Sequence, residues 1–512
     1  MNGATSLVKT LLASGISVCF ANPGTSEMHF VAALDAHPDM RCVLCLFEGG
    51  ATGAADGYYR MTGRVAVSLL HLSPGFANGF ANLHNARKAK SAMVTVMGEH
   101  ATYHLQYESP LKGDTFGIAE AVSHSVVRPI RADQVADFGA HAIEQARANE
   151  GQIATLILPA DTAWGATDAT ATAAPPVLSR RPTEAAVQGA ADVLRLPGAV
   201  LMVDGRALRA PLADLASAIA AATDARLMCP YFVARMERGA GAVPFEPLRY
   251  PVDENIALLA DVTGMVLIGA TPPTAFFAYP GKPSQPTPDG CQMFDLCTPD
   301  MDISWTLQAL ADAVQARDPL PQTPLHLPAL PTGRMSLEKL GDAIAHALPA
   351  GAVVVEEAIT SARPLIDATR HARPHDWLCL MGGAIGDGLP VAVGAAIGAP
   401  DRKVVVLQAD GSAMYTLQCL WTMARERLDV VVIILANGGY RTLHREMANV
   451  GVASVGRNAL RMFDVTDPSL DWVALARGHG VQGCDARDID QFNAAFAQAL
   501  ASPGPHLIAV HC

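Results

Sequence analysis

Along this chain short apolar runs alternate with stretches in which apolar residues recur every three or four positions. In the first third, "SVCFA" leads into "NPGTSEMHFVAAL", "CVLCLF" into "EGGATGAADGYYRMTG", and "RVAVSLLH" into "LSPGFANGFANLHNARKAK", after which "AMVTVMG" closes the series. Short runs of this kind read as buried strands, and the periodic stretches between them read as crossover helices. Their regular alternation predicts a parallel sheet covered by helices. The theme returns as "AVLMVDG" and "GMVLIGA" in the middle of the chain and as "AVVVEEA", "KVVVLQA", "DVVVIIL" and "HLIAVH" in the last third. The expected fold class is α/β, with three doubly wound parallel-sheet domains.

Two stretches interrupt the pattern. "TDATATAAPPVLSRRP" (Thr167 to Pro182) is rich in Ala, Thr and Pro, and "DPLPQTPLHLPALPTG" (Asp318 to Gly333) carries five prolines at spacings that no helix or central strand tolerates. They divide the chain into an N-terminal domain over 1–166, a central domain over 183–317 and a C-terminal domain over 334–512, each of ordinary size. Half of the 512 residues are hydrophobic and 17% are charged, which favours burial and disfavours disorder. A net charge of −12 with no Lys/Arg cluster argues against nucleic acid as a partner. The 10 cysteines are scattered along the chain, which fits reduced thiols better than a disulfide frame. The opening "MNGATSLVKTLLASGISVCF" reads as a short amphipathic helix entering a strand, not as a signal peptide, and no apolar run is long enough to span a membrane. A soluble cytoplasmic enzyme with no membrane partner is expected.

The candidate chemistry lies in "VVVLQADGSAMYTLQCLW" (Val404 to Trp421) and in "ANGGY", which follows the run "VVVIIL". Asp410 ends one predicted strand and Asn437 ends the next. A helix presenting Met414, Leu417, Leu420, Trp421 and Ala424 on one face would return the chain and make the strands parallel. Both oxygen side chains then emerge at the carboxyl edge of the sheet, where ligands collect in open α/β folds. The helix opening at Gly411 and Ser412 adds free N–H groups. A hard divalent cation sharing its coordination sphere with phosphate suits such oxygen donors. An N-cap aspartate and an Asn-Gly turn would leave the same residues, so the residues alone leave both readings open.

The segment resembles the thiamin-diphosphate motif, Gly-Asp-Gly followed after a spacer by Asn, with Ala409 in place of the first glycine. The resemblance implies that Asp410, Asn437 and the carbonyl of Gly439 hold Mg2+ or another divalent cation. It implies that Ser412 bonds the diphosphate, with Gly411 and Tyr440 in the same cofactor-binding set. "GGAIGDGLPVAVGAA" resembles the segment whose bulky apolar residue, here Ile385, bends the cofactor. "LFEGGATGAADGYYR" resembles the segment carrying the family glutamate, here Glu48, although Phe47 stands where the family usually has His. The resemblance covers nearly the whole chain and points to benzoylformate decarboxylase and the acetolactate-synthase group.

It further implies that Glu48 hydrogen-bonds the pyrimidine ring of thiamin diphosphate, and an apolar setting is expected to bury it and raise its pKa. In the family this glutamate and the metal site come from different subunits, which implies a homodimer or homotetramer with active sites at the dimer interface. His71, in "LLHLSPGFANG", takes the place of a proton-relaying histidine. Thr25, in "NPGTSE", takes that of the serine holding the substrate carboxylate, with Ser26 competing for the role. The second histidine of the benzoylformate decarboxylase pattern is absent from "ATPPTAFFAYPGK". Thr442 and Glu446 in "YRTLHREM", and His104 and Gln106 in "GEHATYHLQYESPL", which also holds His100 and Glu108, describe a pocket more polar than one for a phenyl ring. The expected function is C–C bond cleavage or formation on a small 2-oxo acid, as decarboxylase or carboligase. The alternatives are an acetolactate synthase, whose relatives commonly bind FAD although no flavin-binding feature stands out here, and a non-catalytic thiamin-diphosphate-binding module.

Overall fold

The computed structural model describes residues 1–175 and 180–511; residues 176–179 of the first linker lie outside that set. Three sheets organise the chain. The first runs Arg41–Leu44, Val18–Ala21, Ala66–Leu70, Met93–Glu99, Ile153–Pro159 and Ser125–Val127, with every neighbouring pair parallel. The second runs Glu246–Pro247, Arg226–Cys229, Val200–Val203, Gly264–Ile268 and Gln292–Cys297, again all parallel. The third runs Gln482–Ala486, His506–His511, Val430–Ala436, Val404–Ala409, Ala352–Glu357, His375–Cys379 and Met236–Arg238. Its last pair is antiparallel, because Met236–Arg238 arrives from the middle of the chain and docks along the sheet edge.

Every apolar run read as a strand is one, and the α/β class holds. The additional strands are mostly at edges. Gln292–Cys297 and Gln482–Ala486 expose polar side chains, as an edge strand must to discourage further pairing, and so lack the apolar signal. One expectation fails. In place of a single helix after Asp410 there is a short turn of helix, Asp410–Ala413, then an irregular bend and a second helix, Cys419–Glu426. Met414 is therefore exposed, while Leu417, Leu420 and Met423 pack inward. At the bend Tyr415 packs onto bare backbone: a β-carbon on Gly386 would lie 2.5 Å from the Tyr415 Cβ.

The first and third sheets are locked together by two helices, Glu48–Thr62 and Gly388–Gly398, that cross at backbone contact. A β-carbon on Gly57 would lie 2.1 Å from the Val391 carbonyl oxygen, and one on Gly394 would lie 1.9 Å from that of Ala54. Around this crossing Ala51, Ala54, Tyr58, Leu389, Val393 and Ile397 join strands of both sheets in one continuous apolar core. Beside it lies a fully buried charge cluster. Arg60 donates to both carboxylate oxygens of Asp56 and to the Cys379 carbonyl, and approaches Asp387 at 3.6 Å. Burial opposes the charge on Arg60, but Asp56 and Asp387 outweigh it and raise its pKa. Among the described residues no helix is long and apolar enough to cross a membrane, and the cysteines among them are free thiols.

Because neither backbone can retreat at the crossing, Gly394→Ala is expected to destabilise the protein by at least about 1–3 kcal/mol, the usual range for overpacking. Urea unfolding midpoints, compared with an exposed control such as Gly456→Ala, measure it.

Candidate active site

At the carboxyl edge of the third sheet, strand register places the two predicted oxygen donors side by side. Ala409 pairs with Leu435, so Asp410 and Asn437 leave adjacent parallel strands. The Asp410 carboxylate is only 3% exposed and accepts from the Gly411 N–H and, across the strands, from the Gly438 N–H, both at 2.8 Å. Burial pushes its pKa up, with these N–H groups working against the rise. The Asn437 side-chain oxygen accepts from the Gly439 N–H at 3.1 Å, and Gly438 supplies the left-handed φ of +74° that the turn needs. The Gly439 carbonyl accepts from the Arg441 N–H. Tyr440 lays its ring over Gly411 so closely that a β-carbon there would be 2.6 Å from the ring. The Ser412 hydroxyl turns inward, bonded to Gln408 and to the Ala409 carbonyl.

Behind this edge sit residues with no obvious sequence signature. Glu357, fully buried, accepts from the N–H groups of Gly386 and Gly388 at 2.6 and 2.7 Å and from Gln408 at 2.9 Å. It ties the Ile385 loop to the strand that ends at Asp410. From the first domain, Asn85 bonds both the carbonyl and the N–H of Ala384, His84 the carbonyl of Gly382, and Asn82 that of Gly386. Ile385, half-buried, is thus held from two sides. Ile359 follows the strand Ala352–Glu357 with φ +53°, a conformation rarely tolerated by a β-branched residue. The doubled acid of "VVVEEAITS" was the available signal for this corner of the sheet.

A second group gathers at the carboxyl edge of the first sheet. Strand Ala66–Leu70 and helix Leu72–Lys88 meet at His71, and Leu72 adopts φ +45°, a strained elbow that turns the imidazole out. Nδ1 of His71 lies 2.9 Å from the Glu27 carboxylate and 3.2 Å from the Ser26 hydroxyl. The imidazole packs on bare backbone, since a β-carbon on Gly24 would fall 2.2 Å from its ring. Glu27 is itself buried and also binds the Gly24 N–H and Ser26. It was not anticipated; "NPGTSE" drew attention to its hydroxyls alone. Glu48 begins the helix Glu48–Thr62 and accepts from Asn78 at 3.1 Å. Glu48 and His71 flank Gly75, where a β-carbon would lie 3.3 Å from Glu48 Oε1 and 3.2 Å from His71 Cβ.

Thr25, Ser26, His71 and His104 line one cavity of about 370 Å³. In one chain Glu48 is half-buried, with Asn78 donating to its carboxylate. One expectation needs correction. Gln106 faces solvent and folds back onto the Tyr103 carbonyl, so it does not line this cavity. Thr442 and Glu446 do not line it either: they lie on the helix Arg441–Asn449, where Glu446 accepts from Tyr279 at 2.8 Å. Within one chain, no hydrogen bond or ion pair among the described residues joins Glu48 or His71 to Asp410 or Asn437.

The edge of the third sheet fits a polar, multiply charged group. Among the described residues, four of the eight buried side-chain polar atoms without a hydrogen-bond partner belong to the chain segments around Asp410 and Asn437: Gln408 Oε1, Thr416 Oγ1, Gln418 Oε1 and Thr442 Oγ1. No group of three or more His, Cys, Asp or Glu side chains there could hold a metal unaided. A cation at Asp410 and Asn437 would therefore draw its remaining oxygen ligands from backbone, water or a bound phosphate.

Residues 1–122 match the family described as thiamine pyrophosphate enzyme, N-terminal TPP binding domain, and residues 361–510 match its C-terminal TPP binding domain. The whole chain is 47% identical to 99% of a Mycobacterium tuberculosis H37Rv protein provisionally named acetolactate synthase large subunit IlvX. Over 97% of its length it is 28% identical to 96% of the benzoylformate decarboxylase of Pseudomonas aeruginosa. Among solved structures, the thiamine diphosphate-dependent 4-hydroxybenzoylformate decarboxylase of Rhodococcus jostii RHA1 superposes with a TM-score of 0.85 at 25% identity, covering 100% of this chain and 99% of that one.

The buried acids behind the site predict a pH dependence of stability. Burial pushes the Glu356 carboxyl from 4.5 up to about 7, an effect partly offset by the Ala358 N–H and reinforced by Glu357. The folded protein therefore holds a proton there that the unfolded chain has already released. Stability from this group is fully present below pH 4.5 and is lost as pH rises to 7, by about 3 kcal/mol in all. Glu356→Gln is expected to remove that slope, read as the difference in unfolding free energy between variant and parent across the interval.

Proposed function

The chain belongs to the thiamine pyrophosphate enzyme family, and on that premise we infer that it is a thiamin-diphosphate- and Mg2+-dependent enzyme that cleaves or forms a C–C bond beside the carbonyl of a small 2-oxo acid. The observation that carries this reading is the pair of adjacent strand tips, Asp410 and Asn437, whose flanking segments hold buried polar atoms that lack partners. Asp410, the Asn437 side-chain oxygen and the Gly439 carbonyl are the ligands for Mg2+. Gly411, Ser412 and Tyr440 border the diphosphate, and Ile385, pinned through Glu357 and Asn85, supports the ring system. When bound, thiamin diphosphate supplies a nucleophilic carbon and an electron sink.

The chain's own residues do the rest. Glu48 would set its carboxyl group against the pyrimidine ring nitrogen, where it could hold a proton. Glu27 accepts the Nδ1 proton of His71, which fixes the tautomer and leaves Nε2 to take or give a proton beside the reacting carbonyl. Thr25 and Ser26 offer hydroxyls to the substrate carboxylate. In decarboxylation the 2-oxo acid takes up one proton and yields an aldehyde and carbon dioxide. In carboligation a second carbonyl compound is consumed as well and a hydroxyketone forms. A second copy of the chain brings its strand tips to Glu48 and completes the enclosure, which makes the working unit a homodimer or a tetramer of dimers.

Calorimetry should show Mg2+-dependent uptake of thiamin diphosphate, lost in Asp410→Ala; absence of uptake by the parent protein sinks the reading. Carbon dioxide release from a panel of 2-oxo acids, with aldehyde and hydroxyketone both quantified, separates decarboxylase from carboligase. Glu48→Gln should still bind cofactor while kcat falls by about 10²–10⁴-fold, the usual worth of a positioned acid–base group. Mixing inactive Glu48→Gln with inactive Asp410→Ala protein should restore part of the activity if the sites are shared between subunits, and none if each chain works alone.

A further inference from the structure

The cavity at His71 carries more recognition chemistry than a simple 2-oxo acid needs. Four histidines line it, His29, His71, His100 and His104, together with Tyr103 and Trp164. Among the described residues no Asp or Glu lines it, although the chain as a whole carries a net charge of −12. The carboxylates just behind its walls already have partners. Glu27 is bound by Ser26, the Gly24 N–H and His71, Glu99 by Thr115 and the His100 N–H, and Asp161 by the hydroxyl and N–H of Thr102. None of them competes for the imidazoles that face the space.

Those imidazoles divide into two sets. His71 is committed through Nδ1 to Glu27 and Ser26, at the reacting end. The imidazoles of His29 and His104 have no hydrogen-bond partner among the described residues, and that of His100 meets only the Ser109 hydroxyl, at 3.0 Å. His100 and His104 stand side by side with ring centroids 5.4 Å apart, while His29 rests against Trp164 at 5.6 Å. Each imidazole can turn an N–H toward the cavity, and donors grouped in this way, with no carboxylate lining the space, suit an anion, which forms the shorter and stronger charge-assisted hydrogen bonds.

We propose that His29, His100 and His104 form a subsite for a second anionic group, so that the substrate is a 2-oxo acid bearing a carboxylate, sulfonate or phosphonate at its far end. The proposal rests on the 2-oxo acid reading above and narrows it. The reacting carboxylate and carbonyl lie at Thr25, Ser26 and His71, and the distal anion lies at the outer histidines. A pocket built to hydrogen-bond a substrate group rejects analogues that lack it far more strongly than an apolar pocket rejects a missing methylene.

The test pairs each anionic acid with an uncharged counterpart on the thiamin-diphosphate- and Mg2+-loaded protein: 2-oxoglutarate with 2-oxopentanoate, and sulfopyruvate and phosphonopyruvate with 2-oxobutanoate. At least one anionic acid should exceed its counterpart by about a hundredfold in kcat/KM, and which one does so identifies the distal group. His104→Gln and His29→Gln, both at the cavity rim and outside the core, should each narrow that ratio by about tenfold or more, chiefly through KM. In Glu48→Gln protein, calorimetry should show the same preference in binding alone, independent of turnover. Turnover of the uncharged acids as well as or better than the anionic ones overturns the subsite and leaves the 2-oxo acid reading standing, as does a ratio unmoved by both histidine variants. Turnover of no 2-oxo acid, charged or not, overturns both.

Discussion

Two helices that touch backbone to backbone set the geometry of everything else in this molecule. Glu48–Thr62 begins at the glutamate, and Gly388–Gly398 begins just past the Ile385 loop. Their crossing at Gly57 and Gly394 therefore fixes the first sheet's site against the third sheet's loop, without slack. Ridges of ordinary side chains would hold the helices 8–10 Å apart; small residues bring them closer and remove the freedom to slide. The charge cluster of Arg60, Asp56 and Asp387 sits at the same seam. Such a cluster adds little net stability, since desolvation offsets most of the attraction. Misalignment would strand a buried charge, however, so it enforces one relative placement of the two domains.

Each half of the candidate site is then built by the same device, a polar group buried behind the one that does the work. Glu27 stands behind His71, Glu357 behind the Ile385 loop, and the N–H groups of Gly411 and Gly438 behind Asp410. Bare backbone lets them approach: Gly24 beneath the His71 ring, Gly98 against the Glu27 carboxylate, Gly411 beneath Tyr440. The cost is local strain, visible at Leu72 and Ile359, both non-glycine residues held at positive φ at the end of a strand. The strain lies where the chain must turn sharply to present a side chain, and the apolar strands beneath keep it from relaxing.

The two halves differ in what one chain can complete. The edge of the third sheet has its donors in place, while Glu48 is open on one side and the polar positions Thr442 and Glu446 face elsewhere than the His71 cavity. That division follows from topology. Glu48 and His71 follow strands of the first sheet and Asp410 and Asn437 strands of the third, and among the described residues no hydrogen bond or ion pair joins the two sets within one chain.

The sequence by itself determined the class of fold and pointed to the candidate site. Apolar runs such as Val404–Ala409 and Val430–Ala436 can satisfy their burial only as inner strands of a parallel sheet, and an acidic or amide residue directly after such a run must emerge at its carboxyl edge. Asp410 and Asn437 were legible for that reason, and Glu48 and His71 through the family resemblance of their segments. Tertiary structure alone decided what depends on contacts between distant segments. Glu27 is remarkable in no local pattern until His71 folds onto it from 44 positions away, and Glu357 gains its role only when Gly386 and Gly388 arrive. The bend at Tyr415, the outward turn of Gln106 and the edge strand Met236–Arg238 were equally beyond periodicity. Periodicity records which face of a segment meets the core, whereas partner and distance are set by how the segments pack.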